Sequence, residues 1–305
     1  MKTFWMRAAA ALVVPLMAST VAMAAPAKGG KPAMLDISKP EDALQVSRKF
    51  QCSMKDNEPV VYHWSGRAYS RVPGEPDRLL FNLEGMNIRA CVTVNDPVKG
   101  VGYRLVSREL MFYIDPKTGK PFRTWANPWS GKTVEVLHVA NDPVNSRPTW
   151  LRDEKGTPFS LSARVENGRV FMPIEVPLFY TNPMAGDYQA YVGNQYHAME
   201  IFDFNAEAAD ILDPKKATAR PAIAWVRLAQ WLPWMHMNSR SGGLVFNAVG
   251  QVVDGFDALP QVIKDEVAAS YPVYNKPPAG DDTRPNETSW TVFKKWADSK
   301  KAAAN

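Results

Sequence analysis

The chain has 305 residues, with 36 lysines and arginines against 31 aspartates and glutamates. Because the two signs are interspersed and form no basic stripe, the composition does not indicate a nucleic-acid partner. A chain of this length fits one large domain or two small ones, and no low-complexity linker divides it. We therefore expect a single main domain.

The first 24 residues have the pattern of a secretory signal peptide. Lys2 and Arg7 form a basic start, residues 8–17 are apolar, and residues 22–24 have the small-x-small pattern of a signal peptidase site. The apolar stretch is too short for a stable bilayer anchor. We expect cleavage after Ala24 and a periplasmic or secreted protein without a stable membrane anchor, and an uncleaved anchor is the alternative.

Cys52 and Cys91 are the only cysteines. An exported location permits a disulfide between them. Two separate buried thiols fit the sequence equally well, because a domain of this size has a core and does not need a cross-link. Neither cysteine has a histidine at metal-ligand spacing, so a zinc site is not expected.

A flexible segment is predicted at residues 25–37, followed by one β-rich domain over residues 38–305. The domain begins with an amphipathic helix that ends near Met54. Strand-like stretches rich in valine, aromatic residues and threonine follow, at residues 59–72, 78–94, 103–114, 122–125, 132–139, 159–165, 169–179, 189–204, 222–231 and 243–253. Further helical patterns occur near residues 205–212, 259–270 and 287–299.

The strand pattern indicates a mainly β fold with antiparallel neighbours. Short polar breaks at residues 115–119 and 166–168 are typical of connections between adjacent antiparallel strands. An open sheet of this size would expose its edges, so a barrel or a sandwich is expected. Residues 105–114 and 223–231 are apolar on both faces, which favours a large antiparallel barrel. We predict a barrel that is lipocalin-like in general plan, with a few peripheral helices.

Several long sequence strings resemble those of one known family. They occupy residues 102–110, 125–131, 136–145, 191–194, 198–203, 225–227, 230–235 and 284–290. On these strings the chain resembles an uncharacterised bacterial family, domain of unknown function 1838, over nearly the whole mature chain. The resemblance implies membership of a family that has no established activity, so it assigns no functional residue.

Histidines are the first candidates for chemistry, because imidazole can act as acid, base or ligand near neutral pH. Four lie in strand-like or aromatic-rich stretches, namely His63, His138, His197 and His236. His138 is the first catalytic candidate, because it alternates with Val134 and Val136 along one predicted strand. A buried histidine satisfied by one neighbour is the alternative reading for each of the four.

Glu200 and Arg227 lie within apolar strand-like stretches, where each charge needs a partner. They are predicted to form an ion pair, or to provide a carboxyl of raised pKa for general acid chemistry. Strand alternation places Tyr196 on the face of Glu200 and His197 on the opposite face. All four residues are candidates for the site.

Tryptophans provide the remaining ligand-binding candidates. Trp125, Asn127 and Trp129 alternate along the chain and can hold an apolar ligand with one polar group. Trp225 and Trp231 lie in a second stretch dense in large apolar side chains. Core packing is the competing interpretation of both groups, and a membrane-facing patch is a further alternative for the second.

Function is predicted from these candidates and from missing signatures. The sequence has no Gly-rich phosphate loop, no Gly-x-Ser-x-Gly elbow and no His-Glu-x-x-His motif. We expect an exported barrel that binds a small apolar or aromatic molecule. The alternatives are a cofactor-free isomerase, lyase or hydrolase that uses His138, Glu200 and Arg227, and a structural or interaction protein of the cell envelope. The sequence assigns no cofactor.

Overall fold

The computed structural model describes residues 33–181, 195–237 and 240–304. The predicted signal peptide, most of the predicted flexible segment and the first part of the predicted strand at 189–204 lie outside these residues. In the described part, the strands are β1 Val60–Arg71, β2 Arg78–Asp96, β3 Gly100–Ile114, β4 Thr124–Ala126, β5 Thr133–Glu135, β6 Val139–Asn141, β7 Thr149–Trp150, β8 Arg164–Glu166, β9 Arg169–Thr181, β10 Gln195–Glu207, β11 Ala222–Ala229 and β12 Gly243–Val253. The α-helices are α1 Pro40–Gln51, α2 Ala208–Ile211, α3 Gln261–Ser270 and α4 Ser289–Ala304.

Ten of the described strands form one large antiparallel sheet, which confirms the mainly β class with few helices. Its order is β6-β3-β2-β1-β12-β11-β10-β9-β8, and β7 also pairs with β3. Strands β4 and β5 form a separate pair. Among the described residues the sheet does not close into a ring, since β6 and β8 stand at opposite ends of the hydrogen-bonded path.

The sheet is strongly curved, with one concave face. The rings of Tyr62 on β1 and Phe204 on β10 lie 6.1 Å apart, centroid to centroid, although β12 and β11 stand between their strands. In a flat sheet three strand spacings separate the two backbones by about 14 Å. The curvature therefore brings side chains from distant strands together on the concave face.

Strand register places a polar row on that face. Tyr62 pairs with Asn87, Asn87 with Glu109 and Glu109 with Asn141, so the row crosses β1, β2, β3 and β6. The opposite face of these strands is covered by α3, through a core cluster that includes Val61, Met86, Ile88, Leu110, Phe112, Ile263 and Val267. Side-chain alternation along each strand separates the two faces.

Helix α1 packs at one end of the sheet and leads into the disulfide. The helix begins with Pro40, which tolerates the first helical turn because the missing amide proton has no partner there. Phe50 contacts Phe204 edge to face. Cys52 follows the helix and is joined to Cys91 on β2, with the two Cα atoms 5.9 Å apart. Of the two alternatives for the cysteines, the disulfide is therefore the one that forms.

The predicted strand at 132–139 is wrong, because the chain changes partners within it. Strand β5 pairs with β4, whereas β6 pairs with β3. His138 lies between β5 and β6 and belongs to neither. In the described residues, no helix has the length and apolar character needed to cross a membrane.

Candidate functional site

The concave face of the sheet encloses a cavity of about 430 Å³. Residues of β1, β2, β3, β6, β9, β10, β11 and β12 line it, together with the segment 287–290 where α4 begins. This volume lies within the range of about 300–1,000 Å³ that is typical of small-molecule sites. Curvature of one sheet, closed over by the start of α4, thus creates an enclosure of ligand size.

Large aromatic side chains form much of the cavity wall, namely Tyr62, Trp64, Phe202, Phe204, Trp225 and Trp290. The rings of Phe202 and Trp225 are stacked with centroids 6.4 Å apart. Trp290 meets Tyr196 edge to face at 4.9 Å. Such a wall offers apolar contact area to a planar or aliphatic ligand.

Gly85 makes room for one of these rings. A Cβ atom at this position would lie 2.3 Å from Cε2 and Nε1 of Trp64. The indole therefore lies directly across the β2 backbone, an arrangement that only glycine permits. Trp64 and Gly85 are also directly paired in the sheet register.

One polar group of the cavity is built around Glu109. Asn141 Nδ2 donates a hydrogen bond of 3.1 Å to Glu109 Oε2. Beside it, Arg89 Nε donates to Asn87 Oδ1 at 2.6 Å, and Arg89 Nη1 donates to Gln51 Oε1 at 3.0 Å. The Arg89 guanidinium also lies 4.6 Å from the centroid of the Tyr62 ring. Arg89 is thus held in place by amide oxygens and an aromatic face.

A second polar group comes from β10 and β11. Arg227 Nη1 donates to Glu200 Oε1 at 2.9 Å, and Arg227 Nη2 donates to the Tyr196 hydroxyl. Arg227 and Glu200 are directly paired in the register, so the strands themselves bring the two charges together. The predicted ion pair is therefore confirmed, and Tyr196 shares the face of Glu200 as strand alternation indicated.

Burial raises the pKa of Glu109 above its ordinary value of 4.5. The neighbouring Glu200 carboxylate acts in the same direction, whereas the Asn141 hydrogen bond and the positive charges of Arg227 and Arg89 oppose the shift. Burial prevails because removing a carboxylate from water disfavours its charged form. The cavity lining thus contains three carboxyl groups in different settings. Glu200 is paired with Arg227, Glu287 is paired with Lys295, and Glu109 is bound only to an amide.

Several buried polar atoms of the cavity-lining residues have no hydrogen-bond partner. They are Trp64 Nε1, Trp225 Nε1, Arg227 Nε and Asn141 Oδ1. A buried polar atom without a partner costs about 1–3 kcal/mol. Three donors and one acceptor of the lining residues therefore remain unsatisfied within the protein.

A segment before α4 covers the cavity and is fastened to the loop after β6. Glu287 donates its amide to Pro143 O at 2.9 Å, and Asn286 exchanges two hydrogen bonds with the backbone of Asn145. Arg284 forms an ion pair with Asp142 at 2.7 Å. These contacts join two of the strings that carry the family resemblance, and they position Trp290 against the cavity.

Four residues predicted from the sequence line the cavity together: Tyr196, Glu200, Trp225 and Arg227. His197 does not, because it lies on the opposite face of β10, where its ring contacts Phe179 with centroids 4.6 Å apart. Strand alternation alone accounts for this separation of neighbours in sequence.

His138 is buried outside the cavity lining. Its ring packs against Phe112 and Tyr113, and its Nδ1 accepts a hydrogen bond of 3.2 Å from the Tyr113 amide. Burial, together with the charge of Arg123, lowers its pKa from 6.5 to about 4. The structure therefore does not bring His138 together with Glu200 and Arg227.

Four further candidates lie outside the cavity lining, namely Trp125, Asn127, Trp129 and Trp231. Asn127 Nδ2 donates to Met235 O at 2.8 Å, and its Oδ1 accepts the Trp129 amide at 2.9 Å. Trp129 Nε1 donates to Glu75, and Trp231 Nε1 donates to Arg240 O at 3.1 Å. Trp125 belongs to the hydrophobic core. These contacts match the core interpretation for this group.

Sequence reasoning missed several lining residues, including Trp64, Arg89, Glu109, Asn141 and Trp290. The sequence does contain a pattern that points to Glu109, because this carboxyl lies within an apolar strand, as Glu200 does. Register across β2, β3 and β6 then adds Asn87 and Asn141. Trp290 comes from a remote helix start, and no local pattern points to it.

Fold and site together define a protein with a curved antiparallel sheet around an aromatic cavity that is lined by three carboxyls and two arginines. In the described residues, no three histidines, cysteines, aspartates or glutamates are grouped to hold a metal ion. Residues 57–297 match the family described as Protein of unknown function (DUF1838), and the chain belongs to this family. The resemblance is thereby confirmed. No curated protein matches the chain.

Proposed function

We propose that this is an exported protein of barrel-like plan that binds a small, uncharged and largely apolar or aromatic molecule in its cavity. The observation that carries the proposal is a cavity of ligand size with aromatic walls, whose lining residues Trp225 and Arg227 also have partnerless N–H groups. A filled structural core satisfies its buried donors internally. Free donors in an enclosure of ligand size instead favour a bound molecule.

The charges of the cavity support an uncharged ligand. Arg227 is paired with Glu200, and Glu287 is paired with Lys295. The charges of Arg89 and Glu109 act on each other, although the two groups form no ion pair. Because positive and negative groups balance, neither an anion nor a cation would gain a net attraction on entry.

The donors indicate the polar part of the ligand. The lining residues have three partnerless N–H donors and one partnerless acceptor, so the ligand should supply oxygen acceptors such as carbonyl or hydroxyl groups. The aromatic wall supplies the apolar contacts. An aromatic ketone such as 2-tetralone combines both features and serves as a probe.

Binding is tested by tryptophan fluorescence titration with a panel of uncharged aromatic ketones, alcohols and hydrocarbons. The Trp225→Phe variant keeps a ring but removes one free donor, and we expect it to weaken ketone binding about 2- to 10-fold. Trp129→Phe is the matched control, because its donor is bound to Glu75 outside the cavity lining.

Native mass spectrometry of protein purified from its host provides the second measurement. A retained uncharged molecule whose release is faster from Trp225→Phe supports the proposal. If no panel member binds and the purified protein carries no small molecule, the cavity is not a ligand site. Equal weakening by both variants would also contradict it.

A further inference from the structure

Glu109 differs from the other carboxylates of the cavity in its partners. Its Oε2 accepts a hydrogen bond from Asn141, and among the described residues no cation lies within ion-pair distance of it. Glu200, by contrast, is fixed by Arg227 at 2.9 Å. Glu109 is therefore the carboxyl in the cavity that can exchange a proton without breaking an ion pair.

Two free donors come from the strand that carries Arg227. Trp225 and Arg227 are two residues apart on β11, so their side chains point to the same face. Trp225 Nε1 and Arg227 Nε have no partner. Paired N–H donors of this kind stabilise an oxygen atom that gains negative charge during a reaction.

We propose that the cavity catalyses proton transfer on a bound ketone, with Glu109 as the base and the N–H groups of Trp225 and Arg227 as the oxyanion site. The proposal rests on the proposed function, because the ketone is a member of the ligand class argued above. Glu109 on β3 and Arg227 on β11 both line the cavity, and the positive charge of Arg227 acts on the Glu109 carboxyl.

The step balances without a cofactor. Glu109 carboxylate removes a proton from the carbon next to the carbonyl, and the C–H electron pair forms a carbon–carbon double bond. The carbonyl π pair moves to oxygen, where Trp225 and Arg227 hold the enolate. Glu109 then returns the proton, or one exchanged with water, to the same α-carbon or, where the enolate is conjugated with a further double bond, to the γ-carbon.

The electrostatic setting suits this role. Burial raises the pKa of Glu109, and a base is more effective as its pKa approaches the working pH. Arg227 stays positively charged next to Glu200, so its guanidinium can stabilise the negative charge that develops on the ketone oxygen. Glu200 serves as its counterion, and Tyr196 orients the guanidinium.

The test is hydrogen–deuterium exchange at the α-carbon of 2-tetralone in D₂O, followed by proton NMR with the whole mature protein. We expect exchange above the buffer rate and a loss of at least about 100-fold in Glu109→Gln, the effect of removing a general base. Glu109→Asp keeps a carboxylate and should retain part of the rate. Glu84→Gln, on the outer face beside His63, is the matched control and should exchange like the unmodified protein.

Fluorescence titration and urea unfolding accompany each variant, so that binding, folding and exchange are read separately. If 2-tetralone binds but does not exchange faster than in buffer, or if Glu109→Gln exchanges normally, the inference is overturned while the proposed function stands. If 2-tetralone and its homologues do not bind, the inference is also overturned, and the other panel compounds decide the proposed function.

Discussion

Acidification should destabilise the folded protein through His138. Burial, together with Arg123, lowers the pKa of this imidazole from 6.5 to about 4. The His138 side chain takes up a proton near pH 6.5 in the unfolded chain, but only near pH 4 in the folded protein. Its contribution to the free energy of unfolding is therefore complete above about pH 6.5 and is lost as the pH falls toward 4. At about 1.4 kcal/mol for each pKa unit, the loss is about 2 kcal/mol at pH 5 and about 3 kcal/mol at pH 4.

The assay is urea unfolding of the protein and of His138→Phe at about pH 8 and pH 5. The variant keeps a ring against Phe112 but leaves the Tyr113 amide without its acceptor, so we expect it to be less stable by about 1–3 kcal/mol at pH 8. Because phenylalanine does not titrate, the gap should narrow by about 2 kcal/mol at pH 5. His197→Gln, at an exposed position, should show no such change. An equal gap for His138→Phe at both pH values would refute the reasoning.

Three further outcomes are expected. Replacing both Cys52 and Cys91 by alanine should lower the free energy of urea unfolding by about 4 kcal/mol, since the disulfide closes a loop of 39 residues; a loss below about 1 kcal/mol would contradict this account. Gly85→Ala should displace the Trp64 ring, cost about 1–3 kcal/mol in unfolding and weaken 2-tetralone binding by fluorescence, whereas unchanged binding would show that the ring position is unimportant. Glu109→Gln should raise the free energy of urea unfolding more at pH 8 than at pH 4. Because the pKa of Glu109 is raised in the folded protein, ionisation of this carboxyl favours the unfolded chain as the pH rises above 4.5. The opposite trend would argue against a buried carboxyl.

Local patterns were sufficient for most of the long strands and for one part of the site. Alternation along residues 196–200 placed Tyr196 with Glu200 and separated them from His197, because a strand has only two faces. Arg227 was then predicted as the partner of Glu200, since a charge in an apolar strand needs a partner. Both inferences depend on short-range geometry that the order of residues determines.

Only the tertiary structure decided which strands face each other across the cavity. Glu109 on β3 and Arg227 on β11 are separated by β2, β1 and β12 in the sheet, and they approach because the sheet curves. His138 lies outside this enclosure because the chain changes strand partners between β5 and β6. Curvature and partner exchange arise from contacts between residues distant in sequence. The amino-acid sequence by itself therefore determined most of the long strands and the local pair of charges, whereas long-range packing assembled the cavity.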